Sequence, residues 1–312
     1  MLGGLACARI GIVSQVTDDS AIRRAAFEYV NVVTGGGERP ITWRELQRFE
    51  FRGRQIHLVS QQGIFKPAVL ELPISIRTTA PAPDGSRPYE DEVSDDGMLL
   101  YKYRGTDPTH RENVLLRRAM ESGTTLLYLQ GVAKGVYDAS GAAIIDDDPG
   151  GLVFGVALLP LQGVTAGLGL DLDLAQRRYY LTEVKKRANQ QSFRYSVLRA
   201  YRTQCSICRL RHEELLDAAH IVADARGGLP VVTNGLSMCK IHHAAFDHNI
   251  VGVRPDMVAE VRTDVLEEVD GPMLEHGIQA VHGRKLIIPR NTSSRPDAEN
   301  LERRYSEFRQ AG

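Results

Sequence analysis

The stretch SMCKIHHAAFD, residues 237–247, decides how the chain is read. Cys239 and His242 stand three positions apart, and His243 follows at once. Successive residues on a helix point about 100° apart, so two adjacent imidazoles serve one ion poorly and ask for separate partners. Upstream, CSIC at 205–208 adds Cys205 and Cys208. The two knuckles, C-x2-C and C-x2-H, together offer four soft or borderline ligands. Such a set suits tetrahedral zinc and leaves no vacant position, as a structural site requires. Cys205, Cys208, Cys239 and His242 are therefore the expected ligands of a structural Zn2+, and His243 is left over for other work.

Composition sets the frame around these knuckles. With 312 residues, 43% hydrophobic and 25% charged, the chain reads as an ordinary globular protein with room for two domains. No stretch approaches the roughly 20 apolar residues of a membrane span. The opening MLGGLACARIGIVSQ lacks the basic and long apolar regions of a signal peptide, so no membrane partner and a cytoplasmic location are expected. Three of the four cysteines fall in the C-terminal third, with Cys7 alone near the start. In a reducing compartment that clustering favours metal binding over a disulfide framework. A net charge of −1 neither implies nor excludes a nucleic-acid partner. Arg177 to Arg211 nonetheless carries ten Lys or Arg against the single acid Glu183, either a solvated helix face or a contact for a phosphate backbone.

Between the knuckles lies LDAAHIVADARGGLPVVTNGLSMC, residues 216–239, with His220 among small and β-branched residues and Asn234 five residues before Cys239. AAHI, NGLSMC and HHAAFD together resemble the HNH, or ββα-metal, nuclease family over roughly residues 195–250. The resemblance implies that His220 is a general base acting on water, that His243 is a ligand of a catalytic Mg2+ or Mn2+, and that Asn234 orients the base or holds the ion's shell. The chemistry suits the residue types. An imidazole titrates near neutral pH, and phosphodiester cleavage needs a cation where charge gathers on the scissile phosphate and the departing 3′ oxygen. Many relatives carry an acid or histidine immediately before the base, whereas here that position is Ala219. Asp217, three residues before the base, is a further candidate ion ligand, although strand alternation would point it away from His220. Asp247 is expected to support a ligand histidine or to cap the chain.

The N-terminal half has a different texture. Residues 20–30 and 41–49 read as helices, the second with Thr42 as N-cap and Glu45 three residues on. From about 50 to 160, short runs rich in β-formers (QIHLVS, AVLELPISI, MLLYKYRG, TTLLYLQGVA and LVFGVALLP) alternate with turn residues, which argues for a curved sheet or barrel. HRENVLLRRAMESG interrupts them as a helix stopping at Gly123, and a long helix runs from about Leu181 to Tyr201. PYEDEVSDDGMLLYKYRG, Pro88 to Gly105, followed by HRENVLLRRAM and TTLLYLQGV, resembles the SRA domain, a PUA-like barrel that flips a modified cytosine into a pocket. The resemblance implies that Tyr89 and Tyr103 sandwich the base and that Asp91 or Glu92 accepts from its exocyclic amine, with Arg104 beside them. Lys66, Arg87, Lys102 and Arg104 are candidate phosphate contacts. The bland alternative makes the tyrosines barrel aromatics and the acids a solvated loop.

These readings combine into an α+β chain: a curved SRA/PUA-like β-barrel over residues 1–165, a basic helix over 166–200, and a zinc-braced HNH domain over 201–312. The function expected is a modification-dependent endonuclease acting on double-stranded DNA that carries 5-methylcytosine or a related base. Two alternatives stand beside it: an HNH nuclease whose first domain reads unmodified sequence or another DNA feature, and a non-catalytic zinc-containing DNA-binding regulator. One HNH centre cuts one strand, so a homodimer is expected, and the amphipathic segment PDAENLERRYSEFRQ would pack on the body or on a partner.

Overall fold

A computed structural model describes residues 7–81, 94, 98–162 and 173–311. They divide into two compact units, one up to Gln191 and one from Ser192 onward, and the fold is mixed α+β. The first unit contains helices α1 (Cys7–Thr34), α2 (Trp43–Leu46) and α3 (Arg111–Glu121), and the first part of α4 (Leu174–Ala200). Its strands are β1 (Ile41–Thr42), β2 (Glu50–Phe51), β3 (Arg54–Gln55), β4 (Ile64–Phe65), β5 (Ser75–Arg77), β6 (Leu99–Lys102), β7 (Leu126–Ala133), β8 (Val136–Asp148) and β9 (Val153–Leu159).

The expected 41–49 helix is a single turn. Its capping box is nonetheless present: the Thr42 hydroxyl accepts from the Glu45 amide, and the Glu45 carboxylate accepts from the Thr42 amide. The main sheet runs β4-β5-β7-β8-β9-β6, with β1 on β8. All pairings are antiparallel except β5 with β7. Register shifts at Gly131/Ala133 and Ile144/Asp146 add twist and bend, and the sheet curls as a half-barrel. Its path ends on β4 and β6, so among the described residues the barrel expected from sequence is an open sheet.

Both faces of this sheet are covered, which explains the unbroken apolar run Leu126–Leu129 in β7. Leu127 and Leu129 join Phe27 and Val30 of α1, with Ile41, Leu46 and Leu58, on one face. Leu126 and Tyr128 join Leu116 of α3 and Leu181 and Val184 of α4 on the other. The buried residues of α3 are Asn113, Leu116 and Ala119, spaced three apart on one face.

The second unit begins in α4, whose Phe193, Val197 and Leu198, with Tyr201 just beyond its end, are buried in its core. The hairpin β10 (Leu216–His220) and β11 (Gly235–Cys239) pairs Leu216 with Cys239 and His220 with Gly235. Helix α5 (Lys240–Asp247) follows directly, giving a ββα order. Then come β12 (Val251–Val253), β13 (Ala259–Val261), α6 (Thr263–Glu267), α7 (Pro272–Gly277) and α8 (Ala298–Gln310). Helix α8 starts where the Asp297 carboxylate accepts from the Asn300 amide at 2.9 Å, an N-cap. It buries Leu301 and Phe308, seven apart on one face. Phe308 lies over Gly252, where a Cβ would come within 2.5 Å of the ring. The terminal segment thus packs on the body of its own unit.

Candidate active site and metal centre

The adjacent histidines look in different directions from the first turns of α5. His242 is buried, and its Nδ1 lies 3.1 Å from Cys239 Sγ and 3.6 Å from Cys205 Sγ. Cys208 Sγ lies 3.9 Å from Cys239 Sγ. All four ligand atoms sit within 4.8 Å of one another. Tetrahedral zinc with its usual bond lengths separates sulfurs by about 3.8 Å and sulfur from nitrogen by about 3.6 Å, so the cluster could hold that ion. The His242 Nε2 lies 2.9 Å from the Gly277 carbonyl at the end of α7. That contact makes Nε2 the N–H donor and leaves Nδ1 free for a metal.

The protonation chemistry fits a cation as well. Hydrogen bonds from Cys208 and Cys239 pull the Cys205 thiol far below its ordinary range. The same contacts push Cys239 and Cys208 up, Cys205 being the largest influence on each. Three sulfurs at this spacing share one negative charge badly, and a divalent ion removes the conflict by favouring all the thiolates.

His243 faces the other way. Its Nδ1 is 3.5 Å from Asp217 Oδ2 and its Nε2 is 3.4 Å from Asp247 Oδ2. Strand alternation would turn Asp217 away from the His220 side, yet α5 packs across the hairpin so that His243 meets Asp217. His220, at the end of β10, stacks on Phe193 with ring centroids 3.9 Å apart and planes 19° apart. Burial pushes its pKa down; the positive charge of a protonated His243 would add to this, while Asp224 and Asp247 oppose it. A neutral imidazole able to accept a proton is the favoured state near neutral pH.

Asn234 is turned to the backbone. Its Oδ1 accepts from the Val222 amide at 2.9 Å, and its Nδ2 donates to the carbonyls of Val222 and Leu229, each at 3.0 Å. The side chain is spent on the backbone of the loop that leaves His220, and these bonds do not involve the imidazole. Gly228 belongs to the same brace, since a Cβ there would fall 1.8 Å from the Val222 carbonyl oxygen.

A cavity of about 290 Å³ opens beside His220, with Asp247 on its lining. Arg226, Arg303, Arg304 and Glu307 also line it, and none of them was singled out from sequence. The paired arginines of α8 were the only local sign, and nothing in an amphipathic helix says which neighbour its polar face meets.

In the first unit, Tyr89, Asp91, Glu92 and Arg87 lie outside the described residues. Tyr103 is a core residue here, not a free stacking surface. It is 6% exposed, lies against Phe154 with centroids 4.5 Å apart, donates its hydroxyl to Asp147 and receives a bond from Arg117 at 3.1 Å. Burial, then Asp147, raises its pKa. Arg104 is exposed, its backbone held by the buried Asn113 amide. Lys66 is committed to the Leu70 carbonyl at 2.6 Å. Of the basic stretch, Arg187 pairs with the buried Asp138 at 2.9 Å and Arg194 donates to the carbonyls of Glu213 and Leu216. No helix among the described residues is long and apolar enough to cross a membrane.

Comparison with known proteins matches residues 205–254 to the HNH endonuclease family. Two solved structures are similar. One is a modification-dependent TagI restriction endonuclease, 17% identical, covering 86% of this chain and 92% of its own, with a TM-score of 0.29. The other is the type IV phosphorothioation-dependent restriction endonuclease ScoMcrA, 16% identical, covering 59% of this chain and half of its own, with a TM-score of 0.24. No curated protein matches.

Proposed function

We propose, from the premise that residues 205–254 are an HNH endonuclease domain, that this DNA-cleaving hydrolase is a metal-dependent, modification-dependent restriction endonuclease. The observation that carries the nuclease mechanism is the convergence on one cavity edge of a half-buried His220 and of Asp247, which faces a His243 flanked on its other side by Asp217. His220 takes the proton of the attacking water, its ring held by stacking on Phe193. His243, with Asp217, would hold the catalytic Mg2+ or Mn2+, and Asp247 orients the imidazole. That ion supplies positive charge to the scissile phosphate and the departing oxygen. Zn2+ held by Cys205, Cys208, Cys239 and His242 takes no part in the reaction and ties the knuckle, the hairpin and α5 together. Asn234 is a positioning residue for the loop behind His220.

The first unit reads the duplex. The likeness of Pro88–Gly131 to an SRA domain supports recognition of a flipped modified cytosine by Tyr89, Asp91 and Glu92, with Arg104 on the backbone. Tyr103 is withdrawn from that pocket by its place in the core. Because one HNH centre cuts one strand, a double-strand break calls for two chains, and a homodimer on DNA by light scattering is the expected state.

The deciding experiment incubates the protein with fully methylated and unmethylated copies of one duplex in Mg2+ or Mn2+. Cutting that prefers the methylated copy and disappears in His220→Ala, with DNA binding intact, is expected. Equal cutting of both copies would remove the modified-cytosine reading and leave a nuclease directed by another feature. Undiminished cutting by His220→Ala would remove the assigned centre.

A further inference from the structure

We infer that Arg303 of α8 is a phosphate-contacting residue of the nuclease centre, and that α8, which lies outside the residues matched to the HNH family, forms a wall of that centre. The inference rests on the nuclease reading above. It begins with how firmly the helix is placed. The Asp297 amide donates to the Thr233 carbonyl at 2.9 Å, and Asn300 Nδ2 approaches Asn234 Oδ1 at 3.5 Å. The start of α8 is therefore latched to the segment that braces the His220 loop. Further along, Tyr305 donates to Glu260 at 2.8 Å, and Phe308 lies over Gly252. Helix α8 thus has little freedom to turn about its axis.

Its polar face then meets the His220 cavity with Arg303, Arg304 and Glu307. Their duties differ. Arg304 donates to the Phe246 carbonyl and, at 2.5 Å, to Asn249 Oδ1, and its guanidinium lies 4.6 Å from the centre of the Phe246 ring. Its donors are used to hold the end of α5, the helix that carries His243 and Asp247. Glu307 is taken by Arg226 at 2.5 Å and by Arg304 at 3.4 Å. Arg303 is exposed on the same cavity, and its side chain has no hydrogen bond or ion pair to any described residue.

The lining therefore holds three guanidiniums against two carboxylates, one of which, Glu307, is already engaged by arginine. The ligand that matches such a wall beside a water-activating histidine is an anionic phosphodiester. A guanidinium with its fork of donors unspent is the group suited to grip its non-bridging oxygens. Arg304 acts at one remove, as a positioning residue for α5.

The test uses the full chain, with Arg303→Ala, Arg303→Lys and His220→Ala beside the unmutated protein. Duplex affinity is measured across a series of salt concentrations, and single-turnover cutting is measured with enzyme in excess. Arg303→Ala is expected to reduce the slope of log affinity against log salt by about one and to slow cutting by about tenfold or more. Arg303→Lys restores the slope and part of the rate. Because Arg303 has no internal partner, melting temperature and bound metal stay at their unmutated values. An unchanged salt slope in Arg303→Ala overturns the inference whatever the cutting rate. Failure of the nuclease reading shows separately, as absent cutting in the unmutated protein or full cutting by His220→Ala, and the salt slope still decides the role of Arg303.

Discussion

Replacing Asn234 separates its two possible duties, because a brace for the loop and a ligand for an ion respond oppositely to aspartate. Asn234 is 1% exposed and makes three bonds to backbone atoms of Val222 and Leu229. Asn234→Ala removes all three and leaves one amide and two carbonyls without a partner. At about 1 kcal/mol each, the loss is about 3 kcal/mol, and at roughly 4 °C per kcal/mol for a unit of this size the transition of the second unit falls by roughly 10 °C. Asn234→Asp keeps the acceptor for Val222, loses both donors and sets a charge against two carbonyls. A carboxyl buried there has its pKa raised above the unfolded value. The folded state then binds the proton more tightly, so the deficit is greatest near neutral pH and shrinks as pH falls through the folded pKa. Thermal unfolding from pH 5 to 8, followed by circular dichroism with cutting measured in parallel, reads all of this. An Asn234→Asp protein that melts with the unmutated one and cuts as fast in Mg2+ would refute the reasoning. It would mean that only the oxygen of Asn234 matters, as for a group on an ion.

Other outcomes follow from the same geometry. Metal analysis of protein purified without added metal should find about one zinc per chain. Cys205→Ser or a strong chelator should unfold the second unit, because structural zinc supplies roughly 10 kcal/mol or more, as much as a domain's whole stability. His243→Ala should stop cutting with zinc retained; loss of zinc in that variant would mean that the adjacent histidines have exchanged duties. Tyr103→Phe should lower the stability of the first unit by about 1–2 kcal/mol through the lost bonds to Asp147 and Arg117, while leaving the ratio of affinities for methylated and plain duplexes unchanged. A collapse of that ratio would return Tyr103 to the base pocket.

Much of the cysteine–histidine cluster was legible because its information is local. Two knuckles of three-residue reach place their ligands whatever surrounds them, and the Thr42–Glu45 box likewise depends on four consecutive residues. The sheet was harder. QIHLVS alternates as a strand should, yet Ile56 and Leu58 are buried while their amides bond singly to Phe49 and Leu46 outside any ladder. Its pattern recorded burial, not strand pairing. Conversely, VYDASGAAIIDDD, poor in β-formers over DASGAA, is the 13-residue strand β8. Its place between β7 and β9 overrides propensity. Asn234 was found by motif, but its bonds to Val222 and Leu229 could not be read from sequence, since they are set by the path of the loop. Arg226, Arg303 and Arg304 were invisible because the contact between α8 and the His220 loop spans dozens of residues.

The latch between α8 and the Thr233–Asn234 segment also gives the centre an order of assembly. A ribosome releases the first unit before the knuckles, and the knuckles before residue 298, so His220 and the metal cluster exist for a time without Arg303, Arg304 and Glu307. A nascent chain, or one clipped ahead of Asp297, would carry every residue of its cysteine cluster and still lack a wall of the cavity. The cavity is therefore complete only once α8 has been made and has docked on the Thr233–Asn234 segment.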